Sequence, residues 1–416
     1  MQVEGRFNSA PLRLIVLEPR PVQYHAPVYR CIQQQFGIAV TAVYGSDESV
    51  QGVFDKEFAT TFRWDSDLLS GYESTFLCHS NARDARETSL CRELFRELRD
   101  PRATAFMLVG YGAGFYRRAI FAVFSHCVPV LFRAETTDVA QARSHVRSGL
   151  RDCALKVLYS GCSRLLYIGR NSRKHYQRLG CSEKKLVFSP YCVDTQCFRL
   201  DRQSRQQLRW GTRAEVGLQG RVVLLFSGKL SRRKGPDLLL EAISQIPAET
   251  RRTLAVLFLG DGELREQLQQ MSGAIPDVLV RFVGFQNQTR LSAYYHAADM
   301  LVLPSRFGET WGLVLNEALH HGIPCVVSDA VGSAADLICD SRVGRISRAG
   351  SASALAEGIV DMLPVIGSPQ TQECCKAAVS QYTVERAAEG IARACFDVLQ
   401  PYSNPSAKGM CGISVR

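Results

Sequence analysis

Two loops in the second half of the chain carry residue types that could hold an anion next to a polyol. The first, F-S-G-K-L-S-R-R-K-G (226–235), gathers Lys229, Arg232, Arg233 and Lys234 between Gly228 and Gly235. Ammonium groups in a partly dry cleft neutralise phosphate oxygens, and glycine lets backbone come close, so such a loop can clamp a diphosphate. It lacks the G-x-x-x-x-G-K-[ST] spacing and is not a P-loop. Taken alone it reads first as a solvated basic turn. The second, S-R-F-G-E-T-W-G-L-V-L-N-E-A-L (305–319), puts Glu309 in a loop between Gly308 and Gly312, and Glu317 on the helix that follows. The first turn of that helix, Gly312 to Val314, offers free N–H groups and a positive dipole end to a phosphate. Flanking carboxylates accept hydrogen bonds from vicinal diols. Alone, the pair also reads as a helix-start Glu and an exposed mid-helix Glu.

Two weaker signals accompany them. G-D-G-E-L (260–264) follows an apolar run and reads first as a tight strand–helix turn. V-G-F-Q (283–286) is a strand end whose backbone groups could read a nucleobase edge.

The elements that must position these loops alternate between strand and helix. Strand-like runs fall at 12–17, 38–44, 105–109, 129–132, 165–168 and 185–188, with helical segments at 27–35, 87–98, 116–124 and 146–159. The second half repeats the rhythm, with strands at 222–226, 254–259, 278–283, 300–303 and 325–327 and helices between them. Such alternation predicts βαβ units and parallel sheets. In doubly wound sheets ligands bind beyond the carboxyl ends of the strands, which is where both loops fall. The fold class is therefore α/β, with two Rossmann-like domains facing across a cleft. The first domain is expected over 1–200 and the second over 201–383. In 384–416 an amphipathic helix packs back on the first domain, with Val384, Ala388, Ile391, Cys395 and Val398 on one face, and a flexible tail follows.

Composition bounds the partners. The chain has 416 residues and a formal net charge of +10, which permits an anionic partner without choosing one. Its 15 cysteines are too small a share for a disulfide scaffold, and none forms the C-x-x-C pair of a structural zinc site. The first residues lack the basic start and apolar run of a signal peptide, and no stretch is apolar enough to span a bilayer. A cytoplasmic location is expected.

The motifs together resemble a family. G-K-L-S-R-R-K-G, G-D-G-E-L, F-V-G-F, E-T-W-G-L-V-L-N-E-A-L and G-I-P-C-V-V-S-D-A-V-G occur in this order across 222–346. They resemble the nucleotide-sugar domain of the retaining glycosyltransferases of family 4, which have the GT-B fold. The first half resembles a bacterial branch of that family through P-V-Q-Y-H-A-P-V-Y-R, W-D-S-D-L-L-S-G-Y and S-P-Y-C-V-D.

The resemblance implies transfer of a sugar from a nucleoside diphosphate donor to an acceptor hydroxyl with retention at the anomeric carbon, in surface polysaccharide or glycolipid synthesis. It implies no metal and no cofactor beyond the donor substrate. Lys229 and Lys234 match the family's basic pair on the diphosphate, with Lys229 in place of the commoner Arg. Glu309 matches the carboxylate that meets the donor sugar, and Glu317 the one that holds the ribose. Gly312, Leu313 and Val314 match the backbone that holds the phosphates. Glu309, Lys229 and Lys234 are thus the expected catalytic residues. The donor set adds Gly228, Thr310, Trp311, Gly312, Leu313, Val314 and Glu317.

The first half departs from the family pattern. The loop after its first strand is Pro21-Val22-Gln23-Tyr24 rather than Gly-Gly, and Val109-Gly110-Tyr111 lacks the His many members place near the reacting sugar. By position after a strand, His25 and Glu135 are the candidates there. Either could instead be structural, His25 in packing and Glu135 in a salt bridge. The expected partners are the donor, a glycan or lipid-linked acceptor and an anionic membrane surface at the inner face, with no nucleic acid. For membrane contact the candidate is A-G-F-Y-R-R-A-I-F, with Arg117 and Arg118; the competing arrangement turns Phe115, Ile120 and Phe124 to the core and both arginines to water. The alternative to an enzyme is a GT-B protein that binds a nucleotide sugar without turnover. A dinucleotide-dependent oxidoreductase is set aside, because no G-x-G-x-x-G follows an early strand.

Overall fold

Leu14 to Leu17 and Leu254 to Phe258 are fully buried, as expected of strands covered by helices on both faces. In the computed structural model, residues 12–55, 60–77, 104–112, 114–124, 128–136, 138 and 145–399 are described. The helix expected at 87–98 and the tail beyond 401 lie outside them.

Most strands form two parallel sheets, while Val53–Asp55 and Thr60–Phe62 pair with each other as an antiparallel ribbon. In spatial order the first runs Glu73–Phe76, Ala39–Tyr44, Arg13–Glu18, Thr104–Leu108, Val130–Arg133, Arg164–Tyr167 and Leu186–Phe188. The second runs Leu279–Gly284, Leu254–Leu259, Val222–Ser227, Met300–Leu303, Cys325–Ser328 and Gly344–Ser347. In each, the chain starts at an inner strand, winds to one edge, then crosses back and winds to the other. The crossing leaves a crevice, between Arg13–Glu18 and Thr104–Leu108 in one sheet and between Val222–Ser227 and Met300–Leu303 in the other. Alternation along Val222–Ser227 explains the layering. Val223 and Leu225 join a core on one face, while Leu224 and Phe226 join a second core on the other.

The crossing between domains ends a short turn, Gln196–Phe198, at Arg199, whose φ of 45° is left-handed. The polar D-R-Q-S-R-Q-Q stretch then forms a helix, Arg202–Val216. Asp201 caps it by accepting from the Ser204 N–H at 2.9 Å. The final helix, Val384–Leu399, packs against the first domain. Ala388, Ile391 and Cys395 share a core with Leu14, Val16 and Ile32. A Cβ on Gly390 would lie 2.0 Å from the Phe188 carbonyl oxygen, so only glycine lets this helix sit so close to the strand below.

Candidate active site in the interdomain cleft

The loop after Val222–Ser227 and the loop after Met300–Leu303 meet at the second domain's crevice. Arg306 ties them together. Its guanidinium forks onto the Asp237 carboxylate at 2.6 and 2.8 Å, and its N–H donates to the Arg233 carbonyl at 2.9 Å. Two glycines permit the close lacing. A Cβ on Gly260 would overlap the Gly228 carbonyl oxygen at 1.9 Å, which accounts for the first glycine of G-D-G. A Cβ on Gly332 would meet the Thr310 carbonyl oxygen at the same distance. The Gly332 N–H donates to the Glu309 backbone carbonyl at 3.0 Å and the Ser333 N–H to the Trp311 carbonyl at 3.0 Å, so the 331–333 turn zips onto the 309–311 loop.

Glu309 stands inside this lacework, 8% exposed. Its Oε2 is an ion-pair partner of Lys234 Nζ, accepts from Ser305 Oγ at 3.1 Å and lies 3.7 Å from Arg233. Lys229 is part-buried one residue after Gly228, on the same loop. Gly312, with φ of 90°, starts the helix Leu313–His320, and Leu313 and Val314 form its first turn. Trp311 is buried and donates from Nε1 to Asn316 Oδ1 at 2.9 Å.

Glu317 is no exposed mid-helix residue: it is 2% exposed. Tyr295 donates to its Oε2 at 2.6 Å, and Tyr24 of the first domain donates to Oε1 at 3.4 Å. Burial pushes the Glu317 carboxyl up to about 7; hydrogen bonds from both tyrosines and the charge of Lys234 pull it back only in part. Burial, and then the nearby Glu317, push the Tyr24 hydroxyl well above its ordinary value, so it stays a donor.

Two first-domain residues face this wall. Glu135, just beyond Val130–Arg133, accepts from Thr310 Oγ1 of the second domain and from the Tyr191 hydroxyl. His25 holds Glu18 through Nδ1 at 2.6 Å, and Glu18 also accepts from Tyr29 at 3.2 Å. The His25 ring stands edge-on to Tyr191 with centroids 5.9 Å apart, and its buried Nε2 has no hydrogen-bond partner among the described residues. Further along the cleft, the Asn287 side chain donates to the Arg63 carbonyl at 2.6 Å, and Asp65 accepts from the Thr289 backbone at 3.3 Å. Trp64 and Phe285, beside the expected base-contact segment, lie with ring centroids 6.3 Å apart.

The structure thus brings Gly228, Lys229, Lys234, Glu309, Thr310, Trp311, Gly312, Leu313, Val314 and Glu317 to one crevice. Glu135 meets Thr310 across the cleft, and His25 stands one aromatic ring away from Glu135. Sequence reasoning missed Tyr295, Tyr24 and Arg233 as neighbours of the carboxylates. Tyr295 carries no local signal, since its hydrogen bond to Glu317 joins side chains of two separate helices. Tyr24 lies in the stretch singled out as a departure from the family pattern.

Residues 209–364 match the family model described as glycosyl transferases group 1. The match lies within the C-terminal domain. Among similar proteins, D-inositol 3-phosphate glycosyltransferase 2 of Catenulispora acidiphila is 40% identical over 146 residues, 32% of this chain and 33% of that protein. Phosphatidyl-myo-inositol mannosyltransferase of Mycobacterium leprae is 32% identical over 144 residues, 35% of this chain and 37% of that protein. The chain spans less than half the length of the curated relatives it matches. The fold match reaches further. The crystal structure of Anabaena Alr3699/HepE in complex with UDP and glucose superposes with a TM-score of 0.66 at 14% identity, covering 93% of this chain and 100% of the other. Both domains therefore follow the GT-B arrangement.

Proposed function

We propose that the chain is a retaining glycosyltransferase. It moves a sugar from a nucleoside diphosphate donor to an acceptor hydroxyl in the synthesis of a surface polysaccharide or glycolipid, without a metal. The observation that carries this reading is the buried Lys234–Glu309 pair at the crevice of the second sheet, beside the first turn of Leu313–His320. Lys234, Lys229 and that helix terminus would take the charge of the leaving diphosphate. Glu309 would hold the sugar hydroxyls and so the anomeric carbon. Glu317, between Tyr24 and Tyr295, would accept from the ribose.

With an oxocarbenium-like transition state and the leaving phosphate taking the acceptor's proton on the same face, no side-chain base is needed. His25 and Glu135 are the first-domain groups proposed to face the reacting sugar and acceptor. His25 is oriented by Glu18, and its other ring nitrogen has no partner among the described residues. The names of the relatives, one acting on a phosphatidyl-inositol, support a lipid-linked or glycan acceptor. No helix among the described residues is long and apolar enough to cross a membrane.

The test is a panel of nucleotide sugars, with and without glycan and lipid-linked acceptors and with EDTA present, read by mass spectrometry for nucleoside diphosphate release. The anomeric proton of the product, read by NMR, tests retention. Tight donor binding without release under every acceptor would replace this reading with that of a nucleotide-sugar-binding protein.

A further inference from the structure

At the other end of the second sheet lies a cavity of about 740 Å³ that the proposed reaction does not use. Its walls come from the start of the helix Arg202–Val216, from the segments just before Met300–Leu303 and Cys325–Ser328, and from the helix Pro369–Val379. It therefore opens at the amino ends of the strands, away from the donor crevice at their carboxyl ends.

The lining is unbalanced in charge. Arg202, Arg205, Arg209 and Lys376 line it, against one carboxylate, Asp299. That carboxylate is already taken, holding Arg209 and Arg213 at 2.5 Å each. Among the described residues Arg205 donates only to neutral groups, the His321 carbonyl at 3.0 Å and Gln372 at 3.5 Å. Among the described residues no carboxylate pairs with Arg202, Arg205 or Lys376. Burial, followed by the nearby Arg209, lowers the Arg205 guanidinium from its ordinary value. Burial, followed by the charge of Arg205, lowers the Lys376 ammonium. Gathering like charges in a half-enclosed space costs free energy unless an anion offsets it. Guanidinium forks beside an ammonium and the amides of Gln206 and Gln372 suit the several oxygens of a phosphate. The volume exceeds that of a bare phosphate and leaves room for a small organic body.

We propose that this cavity is a second anion site, which binds a phosphorylated small molecule through Arg202, Arg205 and Lys376. The probe is inorganic pyrophosphate, titrated by calorimetry at low salt into the full chain, into Lys234→Ala and into Lys234→Ala combined with Arg205→Gln and Lys376→Gln. Lys234→Ala, which disables only the donor clamp, should keep one pyrophosphate site. The added pair of changes should weaken that site tenfold or more. Loss of all binding in Lys234→Ala, or a residual isotherm unmoved by the Arg205 and Lys376 changes, would overturn the proposal. The donor reading is judged separately, by whether Lys234→Ala weakens pyrophosphate binding at all. Lys376→Glu in the Lys234→Ala background guards against misfolding of the Arg205 variant. Its ammonium makes no hydrogen bond among the described residues, so thermal melting should be unchanged while the remaining site weakens at least tenfold; unchanged affinity there also counts against the proposal.

Discussion

Lys234 Nζ and Glu309 Oε2 form an ion pair between two loops 75 residues apart in sequence, with side chains 12% and 9% exposed. On the proposed reading the two groups would meet different parts of the donor, the ammonium a phosphate and the carboxylate the sugar hydroxyls. In the free protein they neutralise one another. A donor would let them separate their roles without leaving either charge bare.

Replacing Lys234 with Ala should weaken donor and free nucleoside diphosphate together, by about 2 kcal/mol, or roughly thirtyfold. Glu309 keeps Ser305 at 3.1 Å and Arg233 at 3.7 Å, so the fold should survive the change. Calorimetry with donor and with nucleoside diphosphate checks both arms. Unchanged nucleotide affinity would remove Lys234 from the clamp.

The two glutamates should separate kinetically. Glu309→Ala should chiefly lower kcat, because a misplaced anomeric carbon loses reaction geometry. Glu317→Ala should chiefly raise the donor KM through the ribose. Steady-state rates with the best donor of the panel decide this, and turnover untouched by either change would make the pair structural.

Glu317 also sets a pH dependence. With its folded carboxyl at about 7, above its value in the unfolded chain, the native state holds more protons between about 4.5 and 7. Stability from this group is thus full below about 4.5, falls as pH rises through that window and is flat above it. The loss is on the order of 3 kcal/mol. Donor binding should run the opposite way and strengthen toward pH 7 and above as the carboxylate forms. Urea unfolding of the wild type and Glu317→Gln from pH 5 to 8 tests the first effect, since the variant should lack this slope. Donor titrations over the same range test the second.

Gly169 has an extended backbone that any residue could adopt, yet a Cβ there would lie 2.4 Å from the Trp311 ring. Gly169→Ala should therefore cost about 1–3 kcal/mol by overpacking where the two domains meet. A drop of several degrees in the thermal midpoint would be the readout. A gain in stability would mean that Trp311 can move aside.

On the first domain, Phe121, Leu150 and Val157 are 78%, 69% and 74% exposed, and Arg117 is exposed beside Phe121. Phe115, Ile120 and Phe124 turn toward the core, and the Arg118 side chain lies outside the described residues. If this face meets membrane, vesicles with anionic lipid should sediment the chain at low salt, and added salt or Phe121→Ser should reduce the bound fraction. No sedimentation at low salt would favour a soluble glycan acceptor.

The motifs were legible because they are local. The runs around Leu14 and Leu254 are apolar for as long as a strand is buried, and Lys234, Glu309 and Glu317 carry their charge wherever the chain takes them. Gly260 and Gly332 were visible as glycines, but the reason for them, a neighbouring carbonyl oxygen under 2 Å from any Cβ, depends on loops from distant segments. The same holds for Glu317. Its type and helical position follow from the sequence, whereas its burial and its carboxyl near 7 come from Tyr295 and from Tyr24, 293 residues away.

The sequence by itself determined the alternation of strands and helices, the order of the donor-loop motifs and the basic and acidic groups within them. These follow from side-chain polarity and backbone preference over a few residues. Tertiary structure alone decided which groups meet: Glu135 with Thr310, Tyr24 with Glu317, and Arg205 with Lys376 around one cavity. Contacts of this kind depend on how two sheets and the helix Val384–Leu399 pack. Packing is settled by the burial of whole faces, so no short stretch of chain encodes it.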